Sequence, residues 1–216
     1  MCSWTTFRRC STIGSSRSNS PDAPREGEKL DTFEAIRKRC SLKTHLSKKT
    51  VEPEKIERVL DAARLAPSAR NLQPWRFVLV QGDEAIDELV LGAFPESNQV
   101  MKEASLLIVI CARQDDDLTV DRKPYFLFDV GLAVENLLLA ATDLGLVTHP
   151  ILRFDESEVK RILEIPAEYR VILATPLAYP AEPSYDEAAA ERLRERTRKE
   201  LGEITHYGKW GSGQPV

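Results

Sequence analysis

Several residue types and motifs that build familiar active sites are scarce in this sequence or missing from it. Its 216 residues include four cysteines and three histidines, which are Cys2, Cys10, Cys40, Cys111, His45, His149 and His206. No two cysteines have CxxC spacing and no histidines form HExxH, so zinc knuckles, thioredoxin-type dithiols and zincin helices are excluded as sequence motifs. We therefore expect no metal site, and the lack of a disulfide pattern favours a reducing compartment.

An excess of one charge and long apolar runs are also lacking. Lys and Arg number 30 against 34 Asp and Glu, which gives a formal net charge of −4, whereas a nucleic-acid-binding domain carries a basic excess. The longest apolar region, residues 130–147, is interrupted by Glu135, Asn136 and Asp143, so no segment has the pattern of a membrane-spanning helix. We expect a soluble, cytoplasmic protein with neither nucleic acid nor membrane as a partner.

The ten glycines never form the phosphate-binding or nucleophile motifs of common enzymes. GxGxxG, GxxxxGK[ST] and GxSxG are all absent, which argues against a standard dehydrogenase, a P-loop enzyme and an α/β-hydrolase. If the protein is an enzyme, its chemistry is expected to come from a cofactor that is held in some other way.

The composition indicates one domain with an extension at each end. Apolar residues make up 42% of the chain, enough for one hydrophobic core. Residues 1–21 are rich in Ser and Arg and lack acids, which is typical of a disordered extension or of an organelle transit peptide. A third alternative is a start codon assigned upstream of the true one. We favour disorder over residues 1–29, followed by a domain over residues 30–210 and a tail over residues 211–216.

Helical and strand patterns alternate along the rest of the chain. Asp31 and Glu34 have the spacing of a capping box, and Pro53 suits the first turn of a second helix. Residues 126–146 predict a long helix that is apolar nearly all round, so it must lie centrally or face a partner subunit. Further helices are predicted over residues 85–94, 158–163 and 187–201, and strands over residues 75–80, 105–111 and 169–177. The pattern predicts an α+β or α/β class.

Two segments carry polar groups that suit either ligand binding or a purely structural role. Residues 36–43 end a short helix with several cations and the Ser41 hydroxyl, which suits either a phosphate or a solvated helix end. Residues 66–77 place a polar turn between two prolines before Trp75, which suits either a binding loop or a helix-to-strand connector. A third segment, residues 129–150, reads as a buried structural helix followed by a turn.

Taken together and in order, these segments resemble the FMN-dependent nitroreductase family. Residues 39–43 are similar to the family's Arg-Arg-Ser-x-Arg, with Cys40 in place of the second arginine. Residues 66–77 are similar to Ala-Pro-Ser-Ser-x-Asn-x-Gln-Pro-Trp-x-Phe and depart from it at Ala69. Residues 131–141 resemble the Gly-x-Ala-x-x-Asn-Leu helix, residues 177–180 the Gly-Tyr-Pro segment, and residues 198–210 the closing motif. The resemblance implies an α+β nitroreductase-like fold, with a mixed or antiparallel sheet, flanking helices and a long central helix at a homodimer interface.

The resemblance also implies an FMN site that uses both chains of the homodimer. The phosphate and ribityl region would be held by Arg39, Cys40 through its backbone, Ser41, Lys43 and Arg198; Lys43 could instead reach the N1/O2 side of the ring. The partner subunit would contribute Pro67, Ser68, Ala69 and Asn71, while His149, Pro150 and Ile151 would sit near N5.

The chemistry implied by the resemblance occurs on the flavin. NADH or NADPH would pass a hydride to N5 and leave, and a nitroaromatic, a quinone or a related acceptor would then take the electrons. No protein acid or nucleophile is required, so the protein supplies orientation and electrostatics. Two alternatives remain: a reductive dehalogenase or flavin-fragmenting enzyme with a lid over residues 94–101 or 120–126, and a flavin-binding protein without turnover.

Overall fold

The computed structural model describes residues 30–212, so the predicted N-terminal extension and residues 213–216 of the predicted tail lie outside the described residues. The helices are α1 Thr32–Lys38, α2 Pro53–Arg64, α3 Asp83–Ala93, α4 Phe126–Asp143, α5 Glu156–Ile162, α6 Tyr185–Arg194 and α7 Leu201–Ile204. The strands are β1 Leu46–Ser47, β2 Trp75–Gln81, β3 Leu106–Ala112, β4 Thr119–Val120, β5 Lys123–Pro124, β6 Val147–Thr148 and β7 Arg170–Pro180. Short 3₁₀ segments cover Ala69–Asn71, Glu96–Glu103 and Gln114–Asp116.

Strand β3 lies at the centre of a five-stranded sheet. The strand order is β1-β7-β3-β2, and β6 pairs with β7 as well. Every residue of β3 is buried, as expected of a strand that is covered on both faces. The ladders between these strands are antiparallel, while the isolated bridge between Ser41 and Thr148 is parallel. Strand β2 therefore forms one edge of the sheet.

The two faces of the sheet belong to two hydrophobic clusters. On one face, Leu106, Ile108 and Ile110 of β3 pack with α2 and α4. On the other face, Leu107 and Val109 pack with α3 and α5. Cys111 also faces this second cluster, where it packs as a small hydrophobic residue, and burial raises the pKa of its thiol to about 11.

The helices begin at the residues that cap them. Asp31 and Glu34 exchange both hydrogen bonds of a capping box at the start of α1, and Pro53 is the first residue of α2. Asp155 accepts hydrogen bonds from the backbone N–H groups of Ser157 and Glu158 and so caps α5. Local side-chain chemistry therefore fixes where these helices begin.

The long helix α4 is central, as its apolar sequence predicted. Its residues Val130, Ala133 and Leu137 are at most 1% exposed, and it packs against α2, α1 and the sheet. It ends at Asp143, and Gly145 follows with φ 69°, a conformation that favours glycine after a helix. Leu127 and Phe128 in its first turn are more than half exposed, so α4 also presents an apolar surface outward.

The last predicted helix, over residues 187–201, is wrong beyond Arg194. Helix α6 ends there, and α7 covers only Leu201–Ile204. Just after the helix, the Arg196 guanidinium donates a hydrogen bond to the carbonyl of Arg39, which follows α1. None of the helices within residues 30–212 is long and apolar enough to cross a bilayer.

Candidate functional site

The C-terminal region folds back onto the end of α1 and encloses a polar cavity of about 360 Å³. Its lining comprises Arg39, Cys40, Ser41, Arg192, Glu195, Arg196, Thr197 and Arg198. Arg39 Nη1 donates to Ser41 Oγ at 3.4 Å, and Arg196 Nη1 donates to Arg39 O at 3.2 Å. The structure therefore brings together Arg39, Ser41 and Arg198, which the sequence comparison with the family assigned to one phosphate site.

This cavity carries a strong excess of positive charge. Four guanidinium groups surround it against the single carboxylate of Glu195. Burial together with Arg198 and Arg39 lowers the pKa of Arg196 below its usual value, because like charges disfavour the cation. An anion in the cavity would relieve this repulsion, and guanidinium and hydroxyl donors are the groups that bind phosphate best.

Two of these arginines, Arg192 and Arg196, were not predicted as site residues. Both lie in the segment that the sequence assigned to one charged helix, where an exposed basic residue carries no specific signal. Arg196 lies beyond the end of α6, and the fold-back of the chain toward Arg39 brings it to the cavity.

Cys40 lines the cavity but turns its thiol toward the protein interior. The side chain packs against the hydrophobic cluster that includes Leu42 and Val147. Burial raises the pKa of the Cys40 thiol despite the arginines nearby. The thiol is therefore neutral at physiological pH, which leaves the backbone as this residue's polar contribution to the cavity.

A second cluster adjoins the arginine cavity through strand β6. The bridge between Ser41 and Thr148 places His149 beside the cavity. The backbone N–H of His149 donates to Thr175 Oγ1 at 3.0 Å. His149 Nδ1 is buried and has no hydrogen-bond partner among the described residues. Burial, Lys43 and Arg192 lower the pKa of His149, so its imidazole is neutral at pH 7.

Lys43 and residues 150–151 flank this histidine. The Lys43 ammonium is close enough to His149 to lower its pKa, and Nζ donates to Ser97 O at 3.5 Å. Pro150 is half-buried. Ile151 pairs with Ala174 through two backbone hydrogen bonds and is only 4% exposed, so its side chain belongs to the core.

The predicted turn over Pro67, Ser68, Ala69 and Asn71 has an unusual backbone. Arg70, Asn71 and Gln73 have φ values of 49°, 59° and 51°, which non-glycine residues seldom adopt. The Ser68 hydroxyl accepts from Gln73 N–H at 3.0 Å, and Asp129 Oδ2 accepts from Ala69 N–H at 2.7 Å. Side chains thus hold a strained turn in place, a feature that clusters at functional sites.

Within one chain, the sheet register separates this turn from the arginine cavity. The turn leads into Trp75, which pairs with Ala112, and Ala112 pairs with Arg170 at the start of β7. On the cavity side, Thr148 pairs with Leu177 of β7. At about 3.3 Å per residue, the seven residues from Arg170 to Leu177 span roughly 23 Å. The structure therefore brings the predicted site residues together as two groups and not as one.

Known sequences match most of the described chain. The model of the family described as the nitroreductase family matches residues 36–99 and 92–179. A putative NADH dehydrogenase/NAD(P)H nitroreductase from Methanothermobacter thermautotrophicus is 31% identical over 163 residues, which are 71% of this chain and 80% of that protein. An iodotyrosine deiodinase from Thermotoga neapolitana is 29% identical over 147 residues, or 57% of this chain and 75% of that protein.

Solved structures show the same fold. A nitroreductase family protein from Clostridium difficile 630 superposes with a TM-score of 0.71 at 28% identity and covers 83% of this chain and 99% of its own. An FMN-dependent nitroreductase from Clostridium difficile R20291 superposes with a TM-score of 0.62 at 26% identity and covers 70% of this chain and 89% of its own. The predicted α+β fold with a mainly antiparallel sheet is thus confirmed.

Proposed function

Because this chain belongs to the nitroreductase family, we propose that it is an FMN-dependent oxidoreductase. In this proposal NADH or NADPH is the electron donor, and a nitroaromatic, a quinone or a related small molecule is the acceptor. The observation that carries the proposal is the arginine cavity, whose donor set fits a phosphate dianion. The proposed flavin-binding unit is residues 30–210, outside which we place residues 1–29 and 211–216.

The phosphate of FMN would be held from both ends of this unit. Arg39, Ser41, Arg196 and Arg198 face the cavity with guanidinium and hydroxyl donors, and the Cys40 backbone lies between them. The hydrogen bond from Arg196 to Arg39 O fixes one wall of the cavity before a ligand arrives. This pre-organisation lowers the entropy that binding must overcome.

Lys43 and His149 would face the ring system. When bound, FMN supplies the redox chemistry, accepting a hydride from the nicotinamide donor and delivering electrons to the acceptor. Lys43 contributes a cation that would stabilise negative charge on the ring, and the neutral His149 offers a hydrogen-bonding nitrogen without adding charge. Within residues 30–212 no group of three His, Cys, Asp or Glu side chains could hold a metal ion.

We further propose that two copies of the chain complete each site. The strand that follows the turn and the strand beside the cavity meet β7 at Arg170 and Leu177, which lie roughly 23 Å apart along the strand. A single flavin contacting both groups would then need the turn of a second chain. Phe33, Ile36, Leu127 and Phe128 are 45–70% exposed on α1 and α4. Such apolar surface supports a subunit interface that buries these helices.

An absorbance spectrum of the purified protein with added FMN tests the proposal directly. We expect the protein to retain FMN through gel filtration, and we expect NADH or NADPH to bleach the flavin band without oxygen. A nitroaromatic or a quinone should then restore the band. Protein that rejects FMN would exclude every flavin-dependent function.

The similarity to an iodotyrosine deiodinase supports a second candidate activity, reductive dehalogenation. Of the two segments suggested as a lid, residues 120–126 include most of the hairpin β4–β5 and are exposed up to the start of α4. The other segment, residues 94–101, has Phe94, Asn98 and Met101 buried. Adding a halogenated tyrosine to the reduced protein separates the two activities. Reoxidation with halide release would favour the dehalogenase, and reoxidation by nitroaromatics or quinones alone would favour the first proposal.

A further inference from the structure

A two-residue loop follows closely on the histidine that the proposed function places against the flavin ring. The loop consists of Leu152 and Arg153, which are both exposed. Before the loop, Ile151 exchanges two backbone hydrogen bonds with β7, at 2.8 Å and 3.1 Å. After it, the ring of Phe154 packs against that of Phe94, with centroids 5.6 Å apart. Both ends of the loop are therefore attached to the core.

Further hydrogen bonds hold the backbone of the loop. Asn98 is 8% exposed, and its Nδ2 donates to Arg153 O at 3.5 Å. Just beyond the loop, the Asp155 N–H donates to Ala93 O at 2.8 Å. The Arg153 side chain thus projects from a fixed backbone, and a group held in this way binds a ligand at a lower cost in entropy.

The 3₁₀ segment Glu96–Glu103 brings a second cation close to this loop. Lys43 Nζ donates to Ser97 O at 3.5 Å, and Asn98, the next residue of the segment, binds the Arg153 carbonyl. Lys43 and Arg153 therefore contact neighbouring residues of one segment. Because the proposed function places Lys43 against the flavin ring, Arg153 lies at the edge of the same site.

The charge of Arg153 is not neutralised by the protein. Its guanidinium has no hydrogen-bond or ion-pair partner within residues 30–212. The acids that follow it are engaged elsewhere, since Asp155 caps α5 and Glu156 binds the start of β7. Glu96 forms no ion pair with Lys43 or Arg153 among the described residues. Two cations without a carboxylate partner favour a ligand that carries negative charge.

We propose that Arg153 is a specificity residue that binds a carboxylate or a sulfonate on the electron acceptor. The proposal rests on the proposed function for the position of the flavin ring. A guanidinium binds a carboxylate through two parallel hydrogen bonds, and Leu152, which is 73% exposed, offers an apolar contact to an aromatic ring. The acceptor is thus a nitroaromatic or a quinone with an acidic group. In a nicotinamide donor, a ribose separates the ring from the nearest phosphate, so that charge lies farther away.

Two nitroaromatics that differ in charge test the proposal. Para-nitrobenzoate is an anion and para-nitrobenzamide is its neutral counterpart, and both are reduced by the FMN-loaded protein with NADH or NADPH. We expect Arg153→Gln to raise KM for para-nitrobenzoate about tenfold with little change in kcat, and to change KM for para-nitrobenzamide by less than about twofold. Arg153→Lys should recover part of the loss, because it restores the charge without the planar fork.

Variants that do not remove a free cation provide the controls. Arg161 lies on α5 and pairs with Glu158 at 2.9 Å, so Arg161→Gln removes the same net charge and should leave both KM values unchanged. Leu152→Ala removes apolar contact alone and should raise both KM values by the same factor. Raising the ionic strength from about 0.02 M to about 0.3 M should weaken the preference for para-nitrobenzoate in the wild type and not in Arg153→Gln.

Benzoate and benzamide provide a measurement that needs no turnover. Neither accepts electrons from the flavin, and isothermal titration calorimetry gives their dissociation constants from the oxidised, FMN-loaded protein. Arg153→Gln should weaken benzoate about tenfold and benzamide by less than about twofold. Anaerobic bleaching by NADH and by NADPH should match the wild type. A loss confined to the donors would show that Arg153 binds a donor phosphate and would overturn the proposal.

The failure of this proposal differs from the failure of the proposed function. If Arg153→Gln changes the two acceptors equally, or changes neither, Arg153 does not recognise the charge of the acceptor, while the flavin-dependent activity stands. If the wild type neither retains FMN nor is bleached by a nicotinamide donor, both proposals are wrong.

Discussion

At the scale of single residues, Arg196 is expected to make a strong contact with the FMN phosphate. This guanidinium lines the cavity and also bonds to the Arg39 carbonyl. Charge-assisted hydrogen bonds contribute about 1.5–3 kcal/mol each. We expect Arg196→Gln to weaken FMN binding by roughly 10- to 100-fold, measured by quenching of flavin fluorescence.

Riboflavin and Arg194 provide the controls for this prediction. Riboflavin lacks the phosphate, so its affinity should change little in Arg196→Gln. Arg194 is exposed at the end of α6 and does not line the cavity, so Arg194→Gln should bind FMN like the wild type. Equal losses for FMN and riboflavin would contradict a phosphate role for Arg196.

Some residues of the arginine cavity could be predicted from the sequence, and others could not. Arg39, Ser41 and Arg198 fall in segments that resemble family motifs, and they line one cavity. Arg192 and Arg196 escaped prediction because only the fold-back of the chain after α6 distinguishes them from ordinary surface arginines.

At the scale of elements, Glu156 connects helix α5 to strand β7. Its carboxylate accepts from the Arg170 guanidinium at 2.9 Å and from the Val171 N–H at 3.0 Å. These bonds lower the pKa of Glu156 to about 2, the Arg170 bond having the largest effect. Glu156 is therefore an anion that ties the first turn of the helix to the start of the strand.

We expect Glu156→Gln to lower the free energy of unfolding by about 1–2 kcal/mol at pH 7, a figure reduced because Arg170 is exposed. The carboxylate has a lower pKa folded than unfolded, so its stabilisation is present above about pH 4.5 and is lost as the pH falls toward 2. Urea unfolding at several pH values measures the difference in free energy of unfolding between the wild type and Glu156→Gln. The exposed pair Glu158–Arg161 is the control, and Glu158→Gln should cost under about 0.5 kcal/mol. If this difference in free energy stayed constant from pH 7 to pH 3, the stabilisation could not come from the ionised Glu156 carboxylate.

Elements with strong local signals were predictable, whereas elements set by distant pairing were not. The capping box at Asp31 and the continuous apolar run of β3 specify their structures within a few residues. The two-residue strands β1 and β6 exist only because they pair with β7, so nothing local marks them. The hydrogen bond from Arg196 to the Arg39 carbonyl, just after α6, likewise joins residues far apart in the sequence.

At the scale of the whole molecule, the separation of the two groups of site residues is the main argument for a shared site. The arginine cavity and the strained turn lie at opposite ends of the sheet in one chain. A two-fold symmetric dimer can bring the turn of one chain to the cavity of the other, and it builds two such sites. The exposed apolar residues of α1 and α4 supply surface for that contact.

Complementation between two inactive variants tests this arrangement. Arg196→Gln damages the cavity, and Ala69→Trp fills the space in front of the turn. Each variant alone should bind little FMN at a concentration near the wild-type dissociation constant. In a mixed dimer with shared sites, one site receives both defects and the other receives none.

Co-expression of the two variants with random pairing should therefore restore about a quarter of the wild-type FMN sites, because half of the dimers are mixed and each holds one intact site of two. The measurement is FMN bound per chain after gel filtration, with each variant expressed alone as the control. Sites built from a single chain would keep their defects in every pairing. In that case co-expression would restore nothing, and the turn would belong to a separate region of the protein.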